Sequence, residues 1–300
     1  MEADKNYDVI IIGGSFAGLS AAMSLGRSLK KVLIIDSGLP CNRQTPQAHN
    51  IITHDGEKPA AIAAVALQQV LNYNTVTFKK GLAVNAQQVN GIFSVVTEEG
   101  EMFKARKLLF ATGVKDEMPA IKGFESCWGI SVLHCPYCHG FEVKGEETGI
   151  MINGAMAAEF IKLVYNWTNK LTVFTNGKST IEESEKLEAK GVKIIEDEIA
   201  EVIHQEGHLQ KVVLAGGKQI SLKAMYAKIP MKQHCTIPSQ LGCQHNDGGF
   251  IMVDDFQKTT VHGIYAAGDN TGLFRSVPMA IAAGSKAGAI LNKELVDEDF

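Results

Sequence analysis

The sequence lacks three features that mark large classes of protein: a long apolar run, a basic block and a basic leader. No hydrophobic stretch approaches the roughly 20 residues that a transmembrane helix needs. The 29 basic and 33 acidic residues give a net charge of −4, which argues against nucleic acid as the main partner. The first five residues lack the basic n-region of a signal peptide. We therefore expect a cytoplasmic protein that binds neither membranes nor nucleic acid.

Cysteine is scarce as well, with six residues in 300 and only one Cys-x-x-Cys motif. In a reducing compartment a close cysteine pair is more often catalytic or metal-binding than structural. A chain of this length and composition, 45% hydrophobic and 21% charged, is long enough for two globular domains. The cysteines outside the motif are expected to be small buried side chains: Cys41, Cys127, Cys235 and Cys243.

The motif itself lies in a string that reads HCPYCH, with Cys135 and Cys138 flanked by His134 and His139. Two thiols at this spacing can close a small disulfide ring or share a metal ion. The thiolate is the reactive form, and its pKa falls toward neutrality in such motifs. Either imidazole can take or give a proton near pH 7. Alone, the motif does not decide between these roles. Together with the nucleotide-binding pattern described next, it makes these four residues the predicted catalytic set, and we predict no metal site.

A nucleotide-binding pattern begins near the amino terminus. Residues 7–12 are an apolar, β-branched run that ends in a glycine-rich turn, and a helical stretch then leads to a strand that ends in Asp36. Gly13 permits the tight turn, Gly18 permits close packing of helix on strand, and the helix start faces a pyrophosphate. Asp36 follows Gly18 by 18 residues, close to the spacing of an acid that binds ribose hydroxyls. Ser15 replaces the middle glycine of the fingerprint, and its hydroxyl can donate to a phosphate.

Two later segments have the same strand-then-glycine character. Residues 108–113 form an apolar strand closed by Ala-Thr-Gly. Residues 263–269 form another strand, which runs into Gly268 and Asp269 before a helix rich in small residues. Taken without these later segments, the first pattern also suits an α/β domain that binds no nucleotide.

In order and spacing, these motifs resemble the flavoproteins with two dinucleotide-binding domains, and most closely the low-molecular-weight thioredoxin reductase superfamily. The resemblance covers essentially the whole chain. It implies an α/β fold of two Rossmann-like domains, the second inserted into the first. The FAD-binding domain would comprise residues 1–115 and 247–300. The inserted NAD(P)H-like domain would comprise residues 116–246 and carry the Cys-x-x-Cys motif. A homodimer is expected from the family alone.

The resemblance also implies a set of residues that bind FAD. The first turn would hold the pyrophosphate and Asp36 the adenosine ribose. Asn50 falls where the family often places an asparagine that contacts the flavin, Asp269 lies near the ribityl–pyrophosphate segment, and the helix from Val277 lies at the isoalloxazine. The complete predicted set is Gly13, Gly14, Ser15, Phe16, Ala17, Gly18, Asp36, Asn50, Ala111, Thr112, Gly113, Gly268, Asp269, Val277 and Pro278.

The inserted domain departs from the pattern of NADPH-dependent members. Aligned on the family fingerprint, Gly154 takes the second glycine position and Ile152 the first, where a β-branched side chain resists the required turn. NADPH-dependent members carry an arginine cluster after the next strand, but no arginine occurs here between Arg106 and Arg275. Lys178 can supply charge without the planar fork of a guanidinium. Use of NADPH therefore stays open.

By resemblance, Cys138 is the thiol nearer the flavin and Cys135 exchanges with the substrate. Thioredoxin reductases place an aspartate directly after the second cysteine as proton donor, and His139 occupies that position here. The expected partner is a thioredoxin-like protein or a small-molecule dithiol or disulfide. The string around the motif also looks like the branch that contains dithiol oxidases of disulfide-bearing natural products, which pass electrons to oxygen without NADPH.

The leading hypothesis is an FAD-dependent thiol–disulfide oxidoreductase. The alternatives in the same class are a dithiol oxidase that uses oxygen and a reductase fed by another donor such as ferredoxin. A zinc-binding module without turnover, and a flavoprotein that serves mainly as a docking subunit, are alternatives from other classes.

Overall fold

The computed structural model describes residues 5–300, so the residues before Lys5 on which part of the leader prediction depends lie outside it. The strands are β1 (Asn6–Ile12), β2 (Val32–Asp36), β3 (Val76–Lys80), β4 (Ala83–Val89), β5 (Ile92–Thr97), β6 (Met102–Phe110), β7 (Val114–Asp116), β8 (Val132–Leu133), β9 (Thr148–Met151), β10 (Leu171–Phe174), β11 (Lys193–Ile195), β12 (Ile199–Gln205), β13 (His208–Leu214), β14 (Gln219–Ser221), β15 (Ala224–Ala227), β16 (Met231–Gln233) and β17 (Ile264–Ala266). The helices are α1 (Phe16–Arg27), α2 (Pro59–Leu71), α3 (Phe124–Cys127), α4 (Pro136–His139), α5 (Ala157–Tyr165), α6 (Ser184–Glu188), α7 (Ile237–Gln240) and α8 (Val277–Asp299), with a 3-10 turn at Asp269–Thr271.

The chain divides into two compact units. Unit 1 comprises the described part of Met1–Arg43 together with Pro59–Lys115 and Met231–Phe300. Unit 2 comprises Gln44–Lys58 and Asp116–Pro230. Each is a layered α/β structure around a sheet whose central strands are parallel, so the predicted fold class is confirmed.

Unit 1 is built on a seven-stranded sheet in the order β3-β2-β1-β6-β5-β4. The first half of β6 pairs with β5, and its second half pairs in parallel with β17. Strands β1, β2, β3, β6 and β17 are parallel, so their carboxyl ends meet at one edge. Residues 9–12 and 32–35 are buried throughout, as expected of parallel strands covered on both faces.

Helices α1 and α8 pack against each other so closely that only glycine fits at the contact. A Cβ added at Gly284 would lie 2.0 Å from the carbonyl oxygen of Ala17, and one at Gly288 would lie 2.6 Å from that of Ala21. This contact fixes α1, and with it the turn between β1 and α1, against the long helix α8.

Unit 2 is built on a five-stranded parallel sheet in the order β11-β10-β9-β15-β8, with a separate antiparallel sheet β12-β13-β14. From β9 the chain winds outward through β10 and β11 on one side, while β15 and β8 lie on the other. A sheet of this kind binds ligands at the carboxyl ends of its strands, where the winding reverses. In this unit, those ends carry the loop after β9 and the Cys-x-x-Cys segment after β8.

The units differ from the predicted ranges in two places. Unit 1 resumes at Met231 rather than at residue 247, because Ile237 and Cys243 belong to the same core as β1 and β6. Segment 44–58 groups with unit 2, where Gln44 Nε2 donates to the carbonyl oxygen of Trp128 at 2.5 Å. Within residues 5–300, no helix is long and apolar enough to cross a membrane.

Candidate active site

The Cys-x-x-Cys motif lies at the carboxyl end of strand β8, where the chain turns into α4. Cys135 is extended and caps the helix, and Pro136 is its first residue, a position that needs no backbone N–H. Cys135 and Cys138 are joined as a disulfide with their Cα atoms 5.4 Å apart. The backbone N–H of Cys138 donates to Cys135 Sγ at 3.2 Å. After reduction, the same N–H would stabilise a thiolate at Cys135.

Aromatic side chains lie within and beside the Cys-x-x-Cys segment. Tyr137 is 63% exposed and meets Trp167 edge-on, with ring centroids 5.6 Å apart. A Cβ at Gly140 would lie 2.7 Å from the Trp167 ring, so glycine lets the indole lie directly against the end of α4. Phe141 is 68% exposed. The dithiol segment therefore presents two large aromatic rings to solvent.

The two predicted histidines lie on either side of the motif. His139 ends α4 and is half-buried. Burial lowers its pKa; the charge of Glu142 opposes this effect and that of His49 adds to it. The His134 ring lies 6.1 Å from that of Trp128. Trp128 is 5% exposed, so it is part of the unit 2 core.

A cavity of about 570 Å³ opens at the carboxyl edge of the unit 1 sheet. Six of the predicted cofactor residues line it: Gly13, Gly14, Ser15, Asp36, Ala111 and Thr112. One wall was not predicted from the sequence, and it is formed by Ala60, Ala63, Ala64 and Leu67 of α2. Their i, i+3, i+4, i+7 spacing marks one helix face and could have identified them. His234 and Cys235 also line the cavity, and no motif signalled them.

The turn between β1 and α1 fits a dinucleotide. Gly13 has a φ of +104°, and a Cβ there would lie 2.2 Å from the carbonyl oxygen of Ala111. A Cβ at Gly18 would lie 1.9 Å from the carbonyl oxygen of Gly13. Ser15 precedes α1 without capping it through its side chain, and the first turn has no acidic residue. The helix start therefore offers N–H groups and a hydroxyl to a phosphate.

The remaining predicted cofactor residues do not line this cavity. Phe16, Ala17 and Gly18 are buried in α1, while Gly113 is absent from the cavity wall. Gly268 follows β17, and Asp269 Oδ2 lies 3.5 Å from Arg275 Nε. Val277 and Pro278 begin α8, whose first turn is capped by Ser276. Asn50 lies in segment 44–58 of unit 2, where its N–H donates to Asp55 Oδ1 at 2.6 Å.

Of the cysteines outside the motif, only Cys127 and Cys243 are buried as expected. Cys41 is exposed, with its Sγ 3.9 Å from Asp269 Oδ2, so the prediction for it was wrong. Cys235 is half-buried because it faces the cavity of unit 1.

The corresponding turn of unit 2, between β9 and α5, has different hydrogen bonding. Asn153 Oδ1 accepts from the N–H of Gly154 at 2.9 Å, and from the N–H and hydroxyl of Thr180 at 2.9 and 3.1 Å. Asn153 Nδ2 donates to the carbonyl oxygen of Lys178 at 2.9 Å. Ile152 is 9% exposed, in the core of this unit. The N–H of Gly154 is thus already bonded to a side chain, and this turn departs from the glycine-rich pattern of a dinucleotide site.

Comparison with known proteins identifies the family. Residues 7–284 match the family model described as pyridine nucleotide-disulphide oxidoreductase. The chain belongs to this family. It is 30% identical over 313 residues to thioredoxin reductase sirT of Leptosphaeria maculans, covering 98% of this chain and 96% of that protein. It is 29% identical over 310 residues to thioredoxin reductase tcpT of Claviceps purpurea, and the match covers 99% of this chain and 96% of that protein.

Solved structures show the same relationship. A putative thioredoxin reductase of Bacillus anthracis superposes with a TM-score of 0.93 at 31% identity, covering 98% of this chain and all of that one. The protein is thus an enzyme, a flavin-dependent thiol–disulfide oxidoreductase resembling thioredoxin reductase. The family implies FAD and a nicotinamide cofactor. The comparisons do not favour the alternatives, which were a dithiol oxidase, a reductase fed by another donor, a zinc module and a docking subunit.

Proposed function

We propose that Cys135 is the attacking thiol and Cys138 the resolving thiol of this oxidoreductase. The observation that carries the proposal is the N–H of Cys138 aimed at Cys135 Sγ, which favours negative charge on that sulfur. In the reductive direction, the Cys135 thiolate attacks one substrate sulfur, and the other substrate sulfur leaves as a thiolate. Cys138 then attacks Cys135 Sγ, and the substrate sulfur still bonded to Cys135 leaves as a thiolate. The enzyme is left with the Cys135–Cys138 disulfide.

His139 is the proposed proton carrier for these steps. Since burial lowers its pKa, it is predominantly neutral at pH 7 and can accept a proton from a thiol. It can return that proton to a departing thiolate. His134 is the second candidate because it adjoins Cys135 in the chain.

The residues that would hold FAD are those at the carboxyl edge of the unit 1 sheet. The turn from Gly13 to Gly18 would bind the pyrophosphate, and Asp36 would accept from ribose hydroxyls. Bound FAD supplies the two-electron redox chemistry that the dithiol needs to turn over. Asp269 and the start of α8 at Val277 are proposed to contact the rest of the cofactor.

The proposed substrate is a thioredoxin-like protein or a small-molecule disulfide or dithiol. The exposed rings of Tyr137 and Phe141 beside the disulfide offer an apolar surface for either. A cytoplasmic homodimer is proposed from the family pattern.

A second candidate function is a dithiol oxidase, or a reductase that takes electrons from a donor other than NADPH. The observation that favours it is the loop closed by Asn153, whose carboxamide oxygen already accepts from the N–H of Gly154. Electron flow in the oxidase would run from a substrate dithiol to an acceptor such as oxygen.

An anaerobic titration of the purified flavoprotein tests both candidates. Bleaching of the flavin band by stoichiometric NADPH would establish a nicotinamide-dependent reductase. Bleaching by a dithiol alone, reversed by air, would favour the second candidate.

Substitution of the motif cysteines tests the dithiol role itself. Cys135→Ser and Cys138→Ser should each abolish turnover, because neither variant can form the intramolecular disulfide. Cys41→Ser is the matched control, since Cys41 is an exposed cysteine outside the motif. Full turnover by either motif variant would refute the proposed dithiol role.

A further inference from the structure

Segment 44–58 places a third histidine, His49, near the dithiol motif and between two carboxylates. His49 Nδ1 lies 3.5 Å from Asp55 Oδ2, and His49 Nε2 lies 3.6 Å from Glu142 Oε1. The His49 side chain is only 15% exposed. A neutral imidazole can donate to one of these carboxylates, and only the imidazolium can donate to both.

The backbone of the segment holds this arrangement in place. Ala48 N–H donates to the carbonyl oxygen of Glu57 at 2.8 Å, closing a short antiparallel bridge around the loop. The N–H of Asn50 donates to Asp55 Oδ1 at 2.6 Å. That hydrogen bond is the main reason why the pKa of Asp55 is lowered, with His49 adding to it. Asp55 is therefore a carboxylate at neutral pH, fixed on one side of His49.

Glu142 connects this cluster to His139. It lies in the turn that follows α4, and its carboxylate opposes the effect of burial on the pKa of His139. The His49 and His139 rings meet edge-on, with centroids 6.4 Å apart at 88°. When it is protonated, His49 lowers the pKa of His139. His49 and Glu142 thus act on the same imidazole in opposite directions.

Further titratable groups lie near this cluster. Tyr226 faces Glu142 from β15, and its pKa is raised first by burial and then by the Glu142 charge, so it is neutral. Asp55 acts on the cluster through His49. His134 lies on the other side of the motif against Trp128, and the Lys144 ammonium lies over the Phe141 ring, 3.5 Å from its centroid.

We propose that His49, held between Asp55 and Glu142, is a positioning residue that keeps His139 in its proton-accepting state during thiol–disulfide exchange. The proposal rests on the role proposed above for His139. When protonated, His49 pairs with Glu142 and offsets the carboxylate charge that acts on His139, and it also places a positive charge beside the His139 ring. Both effects disfavour a second imidazolium next to the dithiol.

The test compares three variants of the FAD-loaded enzyme with its disulfide oxidised. The titration of His139 is followed by NMR of histidine-labelled protein, with the resonance assigned through His139→Gln. His49→Gln should move the titration midpoint up, and Glu142→Gln should move it down, each by about half a pH unit or more. His54→Gln is the matched control, since His54 lies in the same segment and pairs with Glu57 at 3.2 Å, away from the motif.

The acid limb of the kcat profile should move with the midpoint in each variant. The proposal is overturned if the His139 titration midpoint is unchanged, or if it shifts in the same direction in His49→Gln and Glu142→Gln. The proposal is also overturned if the His139 titration midpoint shifts and the acid limb of the kcat profile does not. If His49→Gln fails to bind FAD, Asp55→Asn takes its place, because it removes one of the two carboxylates that favour the imidazolium of His49 and should also move the His139 midpoint up. Failure of the proposed function is distinguishable, because it would appear as full turnover by Cys135→Ser while the NMR midpoints still shift.

Discussion

A buried ion network at the far end of α8 makes a quantitative prediction about pH and stability. Lys107 lies in the middle of β6, its side chain is 3% exposed, and it pairs with Glu294 at 2.7 Å and with Glu298. Glu294 is 13% exposed and also accepts from Lys258 at 2.6 Å and from the Tyr265 hydroxyl at 2.5 Å. Burial alone would raise the pKa of Glu294, but these hydrogen bonds outweigh it and lower the pKa to about 2.

The size of the effect follows from that pKa. Relative to its ordinary value of 4.5, a pKa of about 2 favours the charged carboxylate in the folded state. At about 1.36 kcal/mol per pH unit, the contribution to the free energy of unfolding is about 3 kcal/mol. Because the folded pKa is the lower one, this contribution is complete above pH 4.5. It is lost as the pH falls from there through about 2.

The measurement is urea unfolding of the wild type and of Glu294→Gln at pH 7 and at successively lower pH. We expect the free energy of unfolding of the variant to be about 3 kcal/mol lower than that of the wild type at pH 7. The difference between the two proteins should narrow below pH 4.5. Asp297→Asn is the matched control, because the Asp297 side chain is 59% exposed and pairs with Lys293 only at the surface, which predicts a change below about 0.5 kcal/mol. The reasoning is refuted if the difference in free energy of unfolding between wild type and Glu294→Gln does not depend on pH, or if it is smaller than the difference for the control.

Three further substitutions test the turns and the helix contact. Gly13→Ala should lower the flavin-to-protein absorbance ratio at least about tenfold, because its Cβ would meet the carbonyl of Ala111; full flavin content refutes this. Gly284→Ala should lower the free energy of unfolding, measured in urea, by about 1–3 kcal/mol. Gly272→Ala, at an extended residue with open space around it, should change that free energy little. Asn153→Gly should speed hydrogen exchange of the two backbone amides that Asn153 accepts from by at least about tenfold, and unchanged protection counts against the closed loop.

Local pattern was sufficient to predict the dinucleotide turn of unit 1. Gly13 and Gly18 are dictated by backbone contacts that form within one strand–turn–helix, so their spacing carries the information. The family, the fold class and the enzyme class followed from the order of such motifs and are confirmed. The roles of individual site residues stay predictions.

Features that depend on distant contacts could not be predicted this way. Segment 44–58 groups with unit 2 through contacts such as Gln44 with Trp128, which are 84 residues apart. The local sequence around His49 does not predict that Glu142 Oε1 lies 3.6 Å from His49 Nε2. One face of the alanine-rich helix α2 lines the cavity of unit 1, through contacts that exist only once the helix packs beside the sheet.

The two strand–turn–helix sites show how one architecture can be open to a nucleotide in one unit and closed in the other. At the first, Ser15 leaves the helix start uncapped by its side chain, so its N–H groups are available to a ligand. At the second, the Asn153 carboxamide oxygen accepts from the turn and from the neighbouring loop, as a phosphate oxygen would. A dinucleotide at the second turn would have to displace these hydrogen bonds and still meet Ile152, where close approach needs glycine. The difference between the sites lies in the residues of the turns themselves, since the strands that support them are parallel and buried in both units.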